Sequence, residues 1–525
     1  MIWGIKSKEA TVAITSASNK KEKGGRFMLS KSKYCAFSQC PKRLWLQTYR
    51  PELSEDNAAL DVRMETGNEV GDLAMGLFGN FTEVTDHKED GRLDLSKMIA
   101  HTKQLVAEKH PVICEASFSY EGNYCAVDIL RAENGGYSIY EVKSATHEAE
   151  IYGIDIAYQK YVLEHCGITV TGTYLVCINS DYVRGEELDI QQLFKIIDMS
   201  DWVALESPLV QGNIKRAEKV LASKEEPTHD IAERCEEPYH CPFWAYCSRN
   251  LPKHSVFDLY RLPKKKKFDF YRKGIISYAD ALAVPSLSDT QLRQIQFQLS
   301  DCGTYIDKGG IQDFLNTLSY PIYFLDFETM QLVVPQFPGT KPYQQIPFQY
   351  SLHYIEEPSG ELKHKEFLAE SGVDPRRAIA ESLCRDIPMF TCVTAYNRGF
   401  ECGRIKELAQ LFPDLAPHLM NIRSNIQDLL TPFQTGYYYN RAMGGSFSIK
   451  SVLPALYPDD PSLDYHNLEG VHNGGEAMDL FPRIKDLPLE KQAVARKNLL
   501  EYCKLDTYAM VKVWEELVRV CQRHT

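Results

Sequence analysis

The sequence predicts an α/β protein made of two blocks, each with its own group of acidic side chains. Three observations carry that prediction. Between Val112 and Lys143 three β-rich runs follow one another across short Gly/Asn turns, and a helically spaced segment and a further apolar run come after them. A second block starts near residue 312, has the apolar strand Ile322–Leu325 near its start, and ends in helical spacing over about 495–522. Between the two, residues 252–300 carry nine basic side chains against four acidic ones, in a chain whose formal charge is −12.

The chain has 525 residues, 44% of them hydrophobic and 25% charged, which is ordinary globular composition and enough for more than one core. Its acidic balance excludes a histone-like coat for nucleic acid and leaves local basic grooves open. No run reaches the ~18 apolar residues of a membrane-spanning helix, and no apolar core of a secretory signal is present. The expected location is the cytoplasm. Residues 1–27 are polar and Ser/Lys-rich and read as a disordered tail or an upstream start. The patterned blocks are then 28–250 and 312–525, with 251–311 as a basic, mainly helical connector. There is no Gly-x4-Gly-Lys-Ser/Thr phosphate loop, so no nucleotide triphosphate is expected as a partner.

In the first block Val112–Tyr120 alternates, a Glu-Gly-Asn turn leads to Tyr124–Arg131, and Asn134-Gly135-Gly136 leads to Tyr137–Lys143. Asp128 lies in the second run. Glu141 and Lys143 lie in the third, two apart and so on one face. Pairing the second and third strands brings two carboxylates and an ammonium together. Carboxylates and water hold hard cations such as Mg²⁺ or Mn²⁺, and a neighbouring lysine can position or deprotonate a water. Ile151–His165 has helical spacing and carries Gln159 and Tyr161, and Thr169–Ile178 reads as the next strand. Glu-x-Lys taken alone is more often an exposed strand ion pair. The whole order, meander, helix, strand with Asp…Glu-x-Lys, resembles the PD-(D/E)XK nuclease superfamily. That resemblance implies a restriction-endonuclease-like fold, a supporting role for Gln159, and an upstream acidic ligand. Glu69, in Gly67-Asn-Glu-Val-Gly71, is the best match for this ligand, and Glu115 is the second.

Of the fifteen cysteines, Cys114, Cys125, Cys166 and Cys177 sit in apolar patterns and read as small core residues. Cys235, Cys241 and Cys247 recur at six-residue steps just after the first block's core, and Cys40 stands in Gln39-Cys-Pro-Lys-Arg-Leu-Trp45. One early cysteine with three clustered late ones resembles the iron–sulfur nucleases of the RecB and AddB type, including CRISPR-associated RecB-like exonucleases. By that resemblance these four thiolates hold a [4Fe–4S] cluster. Zinc and unliganded thiols are the alternatives, although structural zinc draws on closer cysteine pairs. Cys35 is the reserve for Cys40.

The second block carries three motifs in order: Phe324-Leu-Asp326-Phe-Glu328-Thr329, then Val393-Thr-Ala-Tyr-Asn397-Arg-Gly-Phe400-Glu401, then Tyr502-Cys-Lys-Leu-Asp506. The last is spaced i,i+4, which puts Tyr502 and Asp506 on one helix face. Four carboxylates and a phenol suit a two-metal site in which the phenol orients water. The set resembles the DEDD family of 3′→5′ exonucleases in its tyrosine variant, which implies an RNase H-like fold, Asp326, Glu328 and Asp506 as metal ligands and Tyr502 as the water-orienting group. That family usually has Asn-x-x-Phe-Asp where this chain has Glu401; Asp428 is the reserve ligand. The two blocks together resemble an uncharacterised bacterial family with such a fusion.

The resemblances imply a divalent-metal-dependent exonuclease with two sites, acting on nucleic-acid ends in repair, recombination or defence. Single-stranded DNA is favoured as substrate and RNA is the alternative. One rival is a protein with a single working nuclease whose other domain only binds nucleic acid; another is a non-enzymatic, cluster-bearing scaffold. Lys264, Lys265, Lys266 and Lys267 are candidates for phosphate-backbone contacts, against a simple solvated connector. Phe268, Phe270 and Tyr271 read better as core than as base-stacking groups.

Overall fold

The first block's turns close as two-residue hairpins because Glu121-Gly122 and Asn134-Gly135 all take positive φ, the geometry that matches strand twist. In this computed structural model, which describes residues 28–55, 58–300 and 302–522, β1 (Leu29–Ser30) leads into α1 (Lys31–Gln39) and α2 (Pro41–Tyr49). Ser30 caps α1 by accepting the Lys33 N–H, and Pro41 opens α2, where its missing N–H costs nothing. After α3 (Ala58–Met75), β2 (Thr82–Glu83) and α4 (Leu95–Ala107) come the meander strands β3 (Val112–Tyr120), β4 (Asn123–Glu133) and β5 (Gly136–Lys143). Then follow α5 (Glu150–His165), β6 (Val170–Ile178), β7 (Phe194–Asp198) and α6 (Ser200–Ala222). The expected tail at 1–27 lies outside the described residues.

The sheet order is β2-β3-β4-β5-β6-β7, with β1 parallel to the start of β4. β3, β4 and β5 are antiparallel, whereas β6 runs parallel to β5. A parallel neighbour needs a crossover, and α5 supplies it. One face of the sheet buries Val127, Ile139 and Leu175 against Ile156, Val162 and Val203 of α5 and α6. The other buries Ile129, Val142 and Val176 against Val70 and Ala74 of α3 and against Val333 and Val334.

The chain divides into two compact units, residues 1–250 with 333–343, and residues 251–332 with 344–525. The connector therefore clusters with the second unit. In it, α7 (Lys264–Arg272) and α8 (Asp289–Leu299) share a small core of Val256, Leu259, Phe270, Tyr278 and Ile295. Buried Gln294 donates to the carbonyls of Asp258 and Gly444, and Arg293 donates to that of Gly436.

The second unit's sheet has β9 (Ile322–Gln331) at its centre, in the order β11-β10-β9-β12-β13. β10 (Gln345–Ile355) is antiparallel to β9 and to β11 (Lys363–Leu368). β12 (Cys392–Ala395) and β13 (Ile426–Asp428) run parallel to β9. β8 (Thr304–Ile306) and β14 (Tyr438–Asn440) form a separate pair. Helices α9 (Arg376–Asp386) and α10 (Gly399–Leu411) cover one face over Leu325, Leu352 and Val393. After α11 (Ile449–Leu456), the chain ends in the 34-residue α12 (Leu489–Gln522), which packs on β9 and β10. Among the described residues no helix is long and apolar enough to cross a membrane.

Candidate active sites

The first site forms where β4 and β5 part. Their ladder starts at Ile129↔Tyr140, while the beginning of β4 pairs with β1 instead. Asp128 and Glu141 stand at the fork. Asp128 Oδ2 accepts the Val142 N–H at 2.7 Å, so the side chain replaces a ladder bond. On its other side the β3–β4 ladder skips Glu115, which takes φ 55°, a strained value for a non-glycine residue. Glu141 is fully buried. It accepts from Gln159 Nε2 (2.7 Å) and from the Lys143 ammonium, which also reaches Asp155 Oδ2 at 3.2 Å. Gln159 Nε2 also donates to Asp155 Oδ1 at 3.0 Å, one helical turn earlier on α5. Lys31 Nζ, at the start of α1, donates to Asp128 Oδ1 (3.2 Å) and to both oxygens of Glu141 (3.1 and 3.2 Å).

Charge in this cluster is finely divided. Burial pushes Glu141 up, but Lys143 and Lys31 outweigh it and hold the carboxyl below the ordinary range. Burial lowers Lys143, but Glu141 and Asp155 more than restore it, so it stays an ammonium. Burial and Asp128 push Glu115 up to about 8. Asp128 and Asp155 are also raised, by burial and then by Glu141. Asp128, Glu141, Lys143 and Gln159 thus come together as the motif predicted. Glu69 is exposed on α3, and Glu115, the second candidate, lies close enough to Asp128 to be raised by its charge. Sequence reasoning missed Lys31 and Asp155. Asp155 left a signal, its i−4 spacing from Gln159; Lys31, 97 residues from Asp128, left none.

The four predicted cysteines line one cavity with Lys42, Arg43, His229 and Asp230. Cys40 is the residue before α2, Cys235 and Cys241 are tied by a Cys241 N–H to Cys235 O bond of 2.8 Å, and Cys247 lies in the short helix Trp244–Ser248. Gln39 holds the loop to α1 by donating to the carbonyls of Arg234 (2.7 Å), Tyr239 (2.9 Å) and Glu237 (3.1 Å). Burial pushes the Cys241 thiol up to about 11, and the adjacent Arg43 opposes this. Among the described residues, no three of these sulfurs lie within 4.8 Å of one another. Cys35 does not line the cavity; its charged neighbours are Asp155, Lys143 and Glu141 of the carboxylate site. Cys114, Cys125 and Cys177 are core residues as expected, whereas Cys166 is exposed just past α5.

The second site lies past the end of a parallel strand. β12 flanks β9 only over Ile322–Phe324, so Asp326 and Glu328 continue alone on that side. Glu401 sits in the first turn of α10, and Asp506 and Tyr502 come from α12. Glu328, Glu401, Asp506 and Tyr502 are each more than nine-tenths buried. Burial first, then the neighbouring carboxylates Asp506, Glu328 and Glu401, push Asp326 far above the carboxylate range. Burial and the charges of Asp506 and Glu401 do the same to Glu328. Burial and Asp428 push Glu401 up to about 8, and its Oε2 is buried with no hydrogen-bond partner. Asp428 is engaged elsewhere, accepting the N–H groups of Asn397 (2.9 Å), Leu430 (3.0 Å) and Arg398 (3.2 Å) around the turn before α10. Glu401 is the acid whose charge acts on Asp326 and Glu328, and Asp428 acts in turn on Glu401. Ligand atoms of Asp326, Glu328 and Cys503 lie within 4.8 Å of one another. Tyr465 and Lys450 were not foreseen. Tyr465 donates to Asp506 Oδ1 at 2.6 Å, and Lys450 Nζ donates to Tyr502 Oη (3.2 Å) and His472 O (3.1 Å).

In the connector, Lys266 and Lys267 are not free phosphate ligands: they donate to Ser286 O (2.9 Å) and Phe257 O (2.6 Å). Lys264 and Lys265 are exposed. Phe268 and Phe270 are buried, and Tyr271 packs on Phe257.

A family model described as a domain of unknown function (DUF2779) matches residues 323–448. That span takes in Asp326, Glu328 and Glu401 and stops before Tyr502 and Asp506. No curated protein matches the chain.

Proposed function

We propose that this protein is a divalent-metal-dependent nuclease with two phosphodiester-cleaving sites, acting on the ends of nucleic acid and on single-stranded DNA in preference to RNA. The observation that carries the reading is the second site: Glu328, Glu401 and Asp506 from β9, α10 and α12 are buried together beside the half-buried Asp326 of β9, with Lys450 as a cation acting on Glu328 and Asp506. Buried like charges are costly unless protons or cations neutralise them, and carboxylate oxygens are the donors that hold Mg²⁺ or Mn²⁺, while burial keeps the adjacent Cys503 a neutral thiol. The sheet supports it too, since five strands with only the second antiparallel to the rest suit an RNase H-like fold. In the first unit, the antiparallel meander, crossover helix and parallel strand suit a PD-(D/E)XK fold.

Asp326, Glu328, Glu401 and Asp506 would hold metal in the second site, and Asp128 and Glu141, with Glu115 beside them, in the first. Metal there would polarise the scissile phosphate and lower the pKa of the attacking water. The chain's own groups do the rest. Tyr502, fixed by Lys450, orients water; Tyr465 holds Asp506 in place. Lys143, kept an ammonium by Glu141 and Asp155, orients and neutralises rather than taking a proton. Cys40, Cys235, Cys241 and Cys247 would hold an iron–sulfur cluster that ties α2 to the end of the first unit.

The test is cleavage of an end-labelled single strand with Mn²⁺ by wild type, Lys143→Ala and Asp326→Ala, each end labelled in turn. Two independent sites predict that each substitution removes a different product ladder. Loss of everything in one variant leaves a single nuclease with a binding module. No cleavage of DNA or RNA by anaerobically prepared wild type overturns the proposal.

A further inference from the structure

Lys31 opens α1 and places its ammonium midway between Asp128 and Glu141, within 3.2 Å of both carboxylates. We propose that Lys31 is a catalytic group of the first site, one that yields this space to a divalent cation and then contacts a non-bridging oxygen of the scissile phosphate. The inference rests on reading that site as a nuclease centre.

A divalent cation held by Asp128 and Glu141 would need the volume that the Lys31 Nζ fills between them. One must leave for the other to enter. Inward movement is closed to the lysine: Gln159 and Asp155 are packed there, and Lys143 already bonds Asp155. Outward movement is open, because the Lys31 side chain keeps 25% of its exposure. Its backbone meanwhile stays fixed. β1 is paired to β4 just before it, Ser30 caps the helix, and Gln39 at the far end of α1 is bound to three carbonyls. A flexible four-carbon stem on a fixed helix end therefore swings only its head, from the carboxylates toward the open side that a strand must approach. There an ammonium offsets charge that grows on the phosphate as the water attacks. Lys31 makes and breaks no covalent bond and transfers no proton.

The experiment uses the full chain with Asp326→Ala, so that the first site alone is read, and compares Lys31→Met, Lys31→Gln, Lys31→Arg and Asp128→Asn. Mn²⁺ affinity is read by the EPR signal of free Mn²⁺, cleavage with an end-labelled single strand, and folding by near-UV circular dichroism. Removing the competing charge is expected to tighten Mn²⁺ binding about tenfold or more in the Met and Gln variants. Cleavage is expected to fall by roughly 100-fold or more in the same proteins, with Lys31→Arg restoring part of it. Tighter Mn²⁺ binding with full cleavage makes Lys31 a counter-ion only and overturns the proposal. Unchanged or weaker Mn²⁺ binding in a folded variant overturns it as well, and the Gln variant decides if the Met variant does not fold. If Asp128→Asn binds Mn²⁺ and cuts like its parent, the nuclease reading of the site has failed instead.

Discussion

Replacing Glu401 by glutamine should stabilise the metal-free protein at alkaline pH. Glu401 is 3% exposed, its Oε2 has no hydrogen-bond partner, and burial with Asp428 nearby pushes its carboxyl up to about 8. The unfolded chain releases the same proton near pH 4.3. Between those values the folded state binds a proton that the unfolded state has lost, so stability falls as pH rises through the window. At ~1.36 kcal/mol per unit, the full shift corresponds to roughly 5 kcal/mol at pH above 8. Glutamine keeps the shape and cannot ionise. Asp326, Glu328 and Asp506 are raised too, so both proteins lose stability with pH, and Glu401 accounts for the difference. The assay is urea unfolding with a chelator at pH 5.5, 7.0 and 8.5. A brief maleimide pulse at one fixed pH then labels Cys392 and Cys503, both buried in the second unit. The variant should exceed wild type by only about 1–2 kcal/mol at pH 5.5 and by roughly 5 kcal/mol at pH 8.5. Parallel pH profiles would refute the argument, because they would mean that the Glu401 carboxylate is solvated or paired.

Three further outcomes follow from single contacts. Gln39→Ala strands three carbonyls of the cysteine loop, which should cost about 1–3 kcal/mol and shorten the lifetime of any bound cluster, read as faster bleaching in air. Cys241→Ser should remove the absorbance near ~400 nm and most of the iron from an anaerobic preparation, and a colourless, zinc-rich wild type would contradict the cluster. Tyr465→Phe removes the 2.6 Å bond to Asp506 and should slow the Asp326-dependent cleavage about tenfold without moving the Lys143-dependent ladder.

Much of the architecture was legible because it rests on local patterns. Alternation and Gly/Asn turns located β3, β4 and β5, and the helix expected over Ile151–His165 is α5. Motif residues that share a strand face or a helix turn, such as Glu141 with Lys143 and Tyr502 with Asp506, were legible for the same reason. What was not legible depends on tertiary packing. Lys31 reaches Asp128 only because β1 pairs with the start of β4. Glu115 comes close to Asp128 where β3 takes one positive φ, and no residue spacing encodes that. Lys266 and Lys267 looked like a basic patch because charge density ignores carbonyl partners. Gln294 and Arg293 bind the connector to Gly444 and Gly436, about 150 residues away, so its assignment to the second unit was equally hidden.

The two carboxylate groups differ in how much of their charge the chain balances itself, and this predicts how differently they depend on metal. In the first, Asp128, Glu141, Asp155 and Glu115 face two ammonium groups, Lys31 and Lys143, both within 3.2 Å of a carboxylate. In the second, the cation acting on Glu328 and Asp506 is Lys450, and it bonds a phenol and a backbone carbonyl rather than a carboxylate. The second group is therefore the one whose acids are driven far up by burial and mutual repulsion, while Glu141 in the first is held down. Divalent cations should accordingly stabilise the second unit more. A ligand at 100 times its Kd adds about 2.7 kcal/mol to a folded state. Melting with Mn²⁺ should thus rise nearly as much in Asp128→Ala as in wild type, and much less in Asp326→Ala. Equal losses in the two variants would mean that the lysines of the first site do not substitute for metal charge, and the contrast drawn between the sites would fall.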